Sequence, residues 1–529
     1  MYKRKWFRGI LFLFVILLIF VNILIFSNDQ QTVLFQENDS FSSQISVNVD
    51  GVAQDNLPNK NSGKAVSSIV CDKGAIGIWD YDYWTINIKN MTSTRTRCQI
   101  NFVSKYNEPL LNGTDPVLSE GLIPVTIDNN GIVKKASLGS KWYSYQDKQW
   151  ANAVILLDSS ILYADGETIP ESNIESYFVW IPKYRYQLWD LGEYNSLTEV
   201  DNTKPHEIPI FFGDYDTKDS VNGECTTPML SGESGNCEVG DYMTHPAFIS
   251  MNTTGLWVGK FETGYKGSTD KISAEKNVNE PGSDQIKPNV NSWRGINVAN
   301  AFYTSYDYKR NLDSHLMKNT EWGAVAYLSH SKYGNESIRL NNHNDFITGY
   351  ASVLEPTCGW TETNEECNRY GIEASVTQPY NTSVGFLAST TGNITGIYDM
   401  SGGAFEKVMG VMLDKDNNFP TSWGEVGEEP KQKYYDLYNY SNDINARYRR
   451  ILGDATGEMG PFIVERSNHP YNLALTSWYE DLATFHTFDF SFFERGGALF
   501  YGVNAGIFTN SVSEFKSTSK ESFRIVLGT

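Results

Sequence analysis

One apolar run near the start restricts this chain more than any other feature. Ile10–Phe26 is seventeen residues long and apolar except for Asn22, about the minimum that crosses a hydrocarbon core of roughly 30 Å. Lys3, Arg4, Lys5 and Arg8 precede it, and Phe26-Ser27-Asn28-Asp29 leads out of it. A cleaved signal has an apolar stretch of about 7 to 15 residues and a small-x-small cleavage site. The expectation is therefore an uncleaved transmembrane helix, a signal-anchor, with its N-terminus cytoplasmic by the positive-inside rule. No second long apolar run follows. The bulk of the chain is expected to be extracellular, on a single-pass cell-membrane protein.

Charge narrows the partners. Lys plus Arg number 43 against 63 Asp plus Glu, a net charge of −20, and four of the basic residues sit before the apolar run. Such a surface repels phosphate backbones, so nucleic acid is excluded as a partner. With aromatic residues at 14% and charged residues at 20% of the 529, the chain has the means to build packed cores. At roughly 150 residues per domain, three or four units are expected.

The six cysteines suit an oxidising compartment. Cys71 and Cys98 bracket a strand-like region, Cys225 and Cys237 close a Gly/Ser/Glu-rich loop, and Cys358 and Cys367 close a loop rich in Thr, Asn and Glu. These three local pairs are the expected disulfides. A zinc site would need C-x-x-C or Cys/His spacing, and none is present.

Along the chain, residues 1–28 read as the anchor and 29–65, rich in Asn, Gln, Ser and Asp, as a stalk. Trp84, Ile86 and Ile88 alternate with polar residues, and the alternation resumes through Cys98, Ile100 and Phe102, which predicts a β-hairpin within a small disulfide-stapled module over 66–106. A linker, 107–116, leads to a β-rich module over 117–170. A larger domain over 174–529 opens on the strand-like Tyr177–Pro182. Two helices are expected in it. Val298, Ala299, Phe302 and Tyr306 recur at helical spacing, as do Trp322, Val325, Ala326 and Ser329, with Asn319 or Thr320 as N-cap of the second.

That last domain resembles a known family. Trp180-Ile181-Pro182, Gly255-Leu-Trp-Val-Gly-Lys-Phe-Glu-Thr263, Asn289-Val-Asn-Ser-Trp293, Asn319-Thr-Glu-Trp-Gly323, Gly396-Ile-Tyr-Asp-Met-Ser-Gly402 with Glu406, Arg495-Gly-Gly497 and Phe523-Arg-Ile-Val526 follow in one order. The order is similar to that of the formylglycine-generating enzyme (sulfatase-modifying factor) family, whose domains have a C-type-lectin-like fold. The resemblance implies an α+β fold of that kind, preceded here by small all-β modules. It does not reach residues 1–170.

Family enzymes that oxidise a sulfatase cysteine use a cysteine pair close to the C-terminus, where thiolates hold copper. No cysteine follows Cys367 here, so that oxidase activity is rejected. The family also binds calcium beside a Gly-Asn-x-x-Glu segment, which here reads Ser401-Gly-Gly-Ala-Phe-Glu406, with Gly403 in the asparagine's place. A separate calcium candidate, Asp414, Asp416 and Asn418 with Glu425, copies the oxygen spacing of a calcium loop, but Phe419-Pro420 stand where the loop needs its glycine. The expectation is no resident cofactor and an acidic surface loop.

H-E-x-x-H, G-x-S-x-G, Walker and dinucleotide-binding motifs are absent, and the seven histidines show no i, i+4 pairing. The reading is a non-catalytic surface protein of the adhesin or receptor-binding type, with an extracellular glycan or protein as ligand. The alternatives are an extracellular enzyme with an unrecognised site on the same fold and a structural envelope subunit. Ligand binding is expected on the irregular stretch Ala498–Glu521. Its Phe500, Tyr501, Asn504, Phe508 and Asn510 have the mix of aromatic and adaptable polar side chains found in recognition loops. Trp360 is a further candidate for stacking on a sugar.

Overall fold

The computed structural model describes residues 114–138, 142–187, 207–212, 242–266, 274–276, 284–352, 377–427, 430–438, 481–483, 491–513 and 517–528, together with the backbone of strands between 30 and 102, 462–465 and 474–476. The chain is mixed α and β, dominated by sheets with few helices. Among the described residues, no helix is long and apolar enough to cross a membrane. Ile10–Phe26, Cys225, Cys237, Cys358, Cys367 and Trp360 lie outside the described residues.

Two compact units form, one from Met1–Pro109 with Ser137–Lys141 and one from the remainder. In the first, a four-stranded sheet runs in the order Gln30–Glu37, Thr94–Phe102, Ala65–Cys71, Gly74–Trp79, and a three-stranded sheet in the order Val52–Gln54, Gln44–Val49, Trp84–Lys89. Two expectations are corrected. The stretch read as a stalk supplies three of these strands, because backbone pairing tolerates the Gln, Asn and Ser that disguise Thr32-Val-Leu-Phe35 and Ile45-Ser-Val47. Trp84–Lys89 does not form a hairpin with Thr94–Phe102 but pairs with Gln44–Val49 instead. Cys71 stands opposite Cys98 in the register of the four-stranded sheet.

The second unit is built on a seven-stranded antiparallel sheet in the order Ser314–Leu316, Ile525–Leu527, Gly255–Gly259, Ile174–Pro182, Asn152–Leu156, Ile123–Ile127, Val133–Lys135. All nine residues of Ile174–Pro182 are buried, which is why this segment lacks the alternation of a half-exposed strand. The domain boundary expected near residue 170 falls inside this sheet. Asn152–Leu156 is hydrogen-bonded to Ile123–Ile127 on one side and to Ile174–Pro182 on the other, and Tyr145 donates its hydroxyl to the Trp180 carbonyl at 2.7 Å. At Gly255 the two central strands pass so close that a Cβ would lie 2.2 Å from the Trp180 ring.

Both expected helices form. Val298–Tyr308 starts at Asn297, whose side chain accepts from the Asn300 N–H at 2.8 Å. Asn319–Ser329 is buried along its whole length, so its apolar residues are not confined to one stripe. Its N-cap is Lys318 rather than Asn319 or Thr320, and the Glu321 carboxylate accepts from the Lys318 N–H at 2.8 Å. Asn319 is thereby freed to accept from Arg495 Nη1 at 2.7 Å. A second sheet is centred on Phe405–Met412, which pairs antiparallel with Phe492–Arg495 and parallel with Glu521–Phe523. Phe492–Arg495 in turn pairs with Asn510–Ser513.

Candidate ligand-binding face

Seven sequence segments meet in the core of the second unit. The Trp180 and Trp257 rings lie 5.3 Å apart, and the Tyr398 N–H donates to the Lys260 carbonyl at 2.8 Å. The Trp293 N–H donates to the Thr263 carbonyl at 2.7 Å, and the Gly402 N–H to the Gly496 carbonyl at 3.0 Å. Trp322 donates its indole N–H to the Ile507 carbonyl at 2.6 Å. Three charged side chains inside this core are held by hydrogen bonds. Lys260 Nζ donates to Asn152 Oδ1 and to the carbonyls of Ile394 and Gly396, at 2.6 to 2.8 Å. Arg524 grips Glu406 with Nε and Nη2 and donates to the carbonyls of Gly259 and Tyr398. Glu262 accepts from the Ser292 hydroxyl and the Ala404 N–H. These groups are sealed from solvent, so they hold the strands in place and offer nothing to a ligand.

The stretch Ala498–Glu521 divides into core and surface. Phe508 and Asn510 are fully buried, which corrects their placement among surface residues. The Phe508 ring packs 4.8 Å from His330, and its N–H donates to Asp481 Oδ2 at 2.9 Å, while Asn510 opens the strand paired with Arg495. Asn504 ends the helical turn Leu499–Asn504. Phe500 and Tyr501 are half-buried, and residues 517–520 are exposed.

Two rings of an aromatic trio, Phe500 and Tyr501, reach the surface, and the third, Phe405, is buried beneath them. Phe405 meets Tyr501 edge-on at 5.0 Å and Phe500 at 6.2 Å, and Phe500 and Tyr501 are themselves 5.3 Å apart. The Lys520 ammonium sits 4.7 Å from the centre of the Phe500 ring, a cation–π contact. Beneath the trio, Lys407 donates to Ser513 Oγ at 3.1 Å, to Glu494 Oε1 at 3.4 Å and to Glu521. Burial pushes the Glu494 carboxyl up to about 8, with Lys407 pulling it down and Glu521 pushing it further up. Burial, and then the Glu494 charge, raise the Tyr501 hydroxyl to about 12. The face therefore presents ring edges, a neutral Tyr501 hydroxyl and the Lys520 ammonium at pH 7.

The sequence reading missed Phe405, Lys407, Glu494 and Glu521. Its available signal was the charge at Lys407, within the mostly apolar Phe405–Met412, and at Glu494, directly after Phe492–Phe493. In the calcium-like loop, Asp414 Oδ1 accepts from the N–H groups of Asp416 and Asn418, both at 2.8 Å, and Oδ2 accepts from Asn418 Nδ2 at 3.0 Å. Its oxygens serve the turn. Among the described residues, no group of three or more His, Cys, Asp or Glu side chains converges as a metal site. No family model matches the chain, and no curated protein matches it.

Proposed function

We propose that this chain is a membrane-anchored extracellular surface protein whose C-terminal domain, C-type-lectin-like and of the formylglycine-generating-enzyme kind, binds a glycan or protein ligand without catalysis. The observation that carries the reading is the interlocking of the seven motif segments in one core, with two rings of the aromatic trio at its surface. Trp322, Arg495 and Arg524 are spent on structure. The stretch that would carry the oxidase cysteines has Phe500 and Tyr501 instead. Loops on a rigid scaffold are where recognition residues concentrate. The test is binding of the full-length protein to glycan and protein arrays, repeated with Phe500→Ala and Tyr501→Ala. Loss of a specific signal in these variants, with melting unchanged, supports this face as the binding surface.

A further inference from the structure

Between the strands Phe405–Met412 and Asp436–Tyr438 a loop carries a second set of rings to the surface. Phe419 stacks on Trp423 at 4.8 Å and 30°, and Trp423 lies nearly parallel to Phe492, at 6.5 Å and 12°. Tyr435 sets its edge against Trp423 at 5.0 Å. The inner ring, Phe492, is 2% exposed and the outer one, Phe419, 36%, so the stack begins in the core and ends in water. Folding alone does not require the outer ring, since a polar side chain at the exposed end of such a stack costs little. The ring is also held rigid: the turn before it is fixed by Asp414 accepting from two backbone N–H groups, and the Asp414 N–H donates to the Asn418 carbonyl at 3.0 Å.

Exposed polar residues flank the ring in the same loop. Asp416 keeps 66% of its side chain exposed and lies 3.9 Å from Lys415. Asn417 and Glu425 are exposed as well. A Cβ built on Gly424, next to Trp423, meets nothing within 4 Å, so the surface there is open to solvent.

We propose that this loop binds the neutral pyranose rings of a polysaccharide, one of them stacking on Phe419. A pyranose has an apolar C–H face and a rim of hydroxyls. An aromatic platform fringed by carboxylate and amide groups matches both at once, and preorganised rings lose little entropy on binding. The carboxylates of Asp416 and Glu425, on a chain of net charge −20, reject sulfated and uronic-acid polymers by like-charge repulsion. The site is distinct from the Phe500–Tyr501 face and does not depend on ligand binding there.

Affinity electrophoresis of the full-length protein tests this, in native gels cast with a soluble β-glucan, a galactomannan, a mannan or heparin. Retardation by at least one neutral polymer and none by heparin is expected. Phe419→Ala should weaken it by about tenfold or more, as truncation of a central anchor does, and Phe419→Tyr should retain it. Asp416→Ala, which touches no packed group, should also weaken it and guards against a Phe419→Ala variant that fails to fold. No retardation by any neutral polymer, or equal retardation of the wild type and both alanine variants, overturns the proposal.

Discussion

Glu262 and Gly403 approach so closely that a Cβ on residue 403 would lie 2.5 Å from Glu262 Oε1, and the backbone there has φ of +69°. Only glycine occupies such a position without strain. The carboxylate of Glu262 thus occupies the space that a side chain at position 403 would need. Gly403→Ala is expected to destabilise the fold by about 1 to 3 kcal/mol, read as a lower denaturant midpoint. Gly403→Asn is expected to destabilise as well, without gaining a melting response to calcium.

Asp284 gives a pH dependence with a definite sign. Both of its oxygens are buried, and among the described residues no other residue donates a hydrogen bond to them. Burial raises its carboxyl from 3.8 to about 7, Glu175 adds to the rise, and Lys309 and Lys266 oppose it. A folded-state value above the unfolded one means that the fold holds the proton more tightly. Its stabilising contribution is complete at low pH and is lost as pH rises through about 7, on the order of 4 kcal/mol in all. Asp284→Asn removes the charge, so it should raise the melting temperature at pH 8 and change it much less at pH 4. Equal shifts at the two pH values would contradict this.

Lys407 and Glu494 should respond unequally. Glu494 holds its proton below about 8, so Glu494→Gln should leave stability near neutral pH almost unchanged. Lys407→Met strips Glu521 and Ser513 of their buried donor and should cost about 3 to 5 kcal/mol, as breaking a buried pair does. Urea unfolding at pH 7 compares the two.

The register that sets Cys71 opposite Cys98 is compatible with a cross-strand disulfide. Non-reducing peptide mapping is expected to recover the two cysteines in one linked species. Reduction of that bond should destabilise the first unit by about 2 to 4 kcal/mol.

Strong local periodicity made part of this fold legible. The helices Val298–Tyr308 and Asn319–Ser329 and the strand ending at Pro182 show in the apolar spacing because burial of one face, or of all faces, leaves a pattern within a dozen residues. Non-local pairing leaves none. Trp84–Lys89 finds its partner forty residues upstream in Gln44–Val49, and Asn152–Leu156 joins Ile174–Pro182 across a polar loop that reads as a boundary. At the candidate site, Phe500 and Tyr501 stood out by composition. Phe508 and Asn510 carried the same signal from inside the core, because sequence composition does not distinguish a ring packed on His330 from one left in solvent. Lys407 and Glu494 were missed since charges in a strand ordinarily face water, and here they face each other.

Ligand recognition at the aromatic trio is the central claim, and one comparison tests it most directly: array binding and melting temperature of the full-length protein and its Phe500→Ala/Tyr501→Ala double variant. Both rings are half-buried at the rim, so the double variant should melt close to the wild type while losing its array signal by about tenfold or more. An undiminished signal in a variant that melts normally would contradict the account.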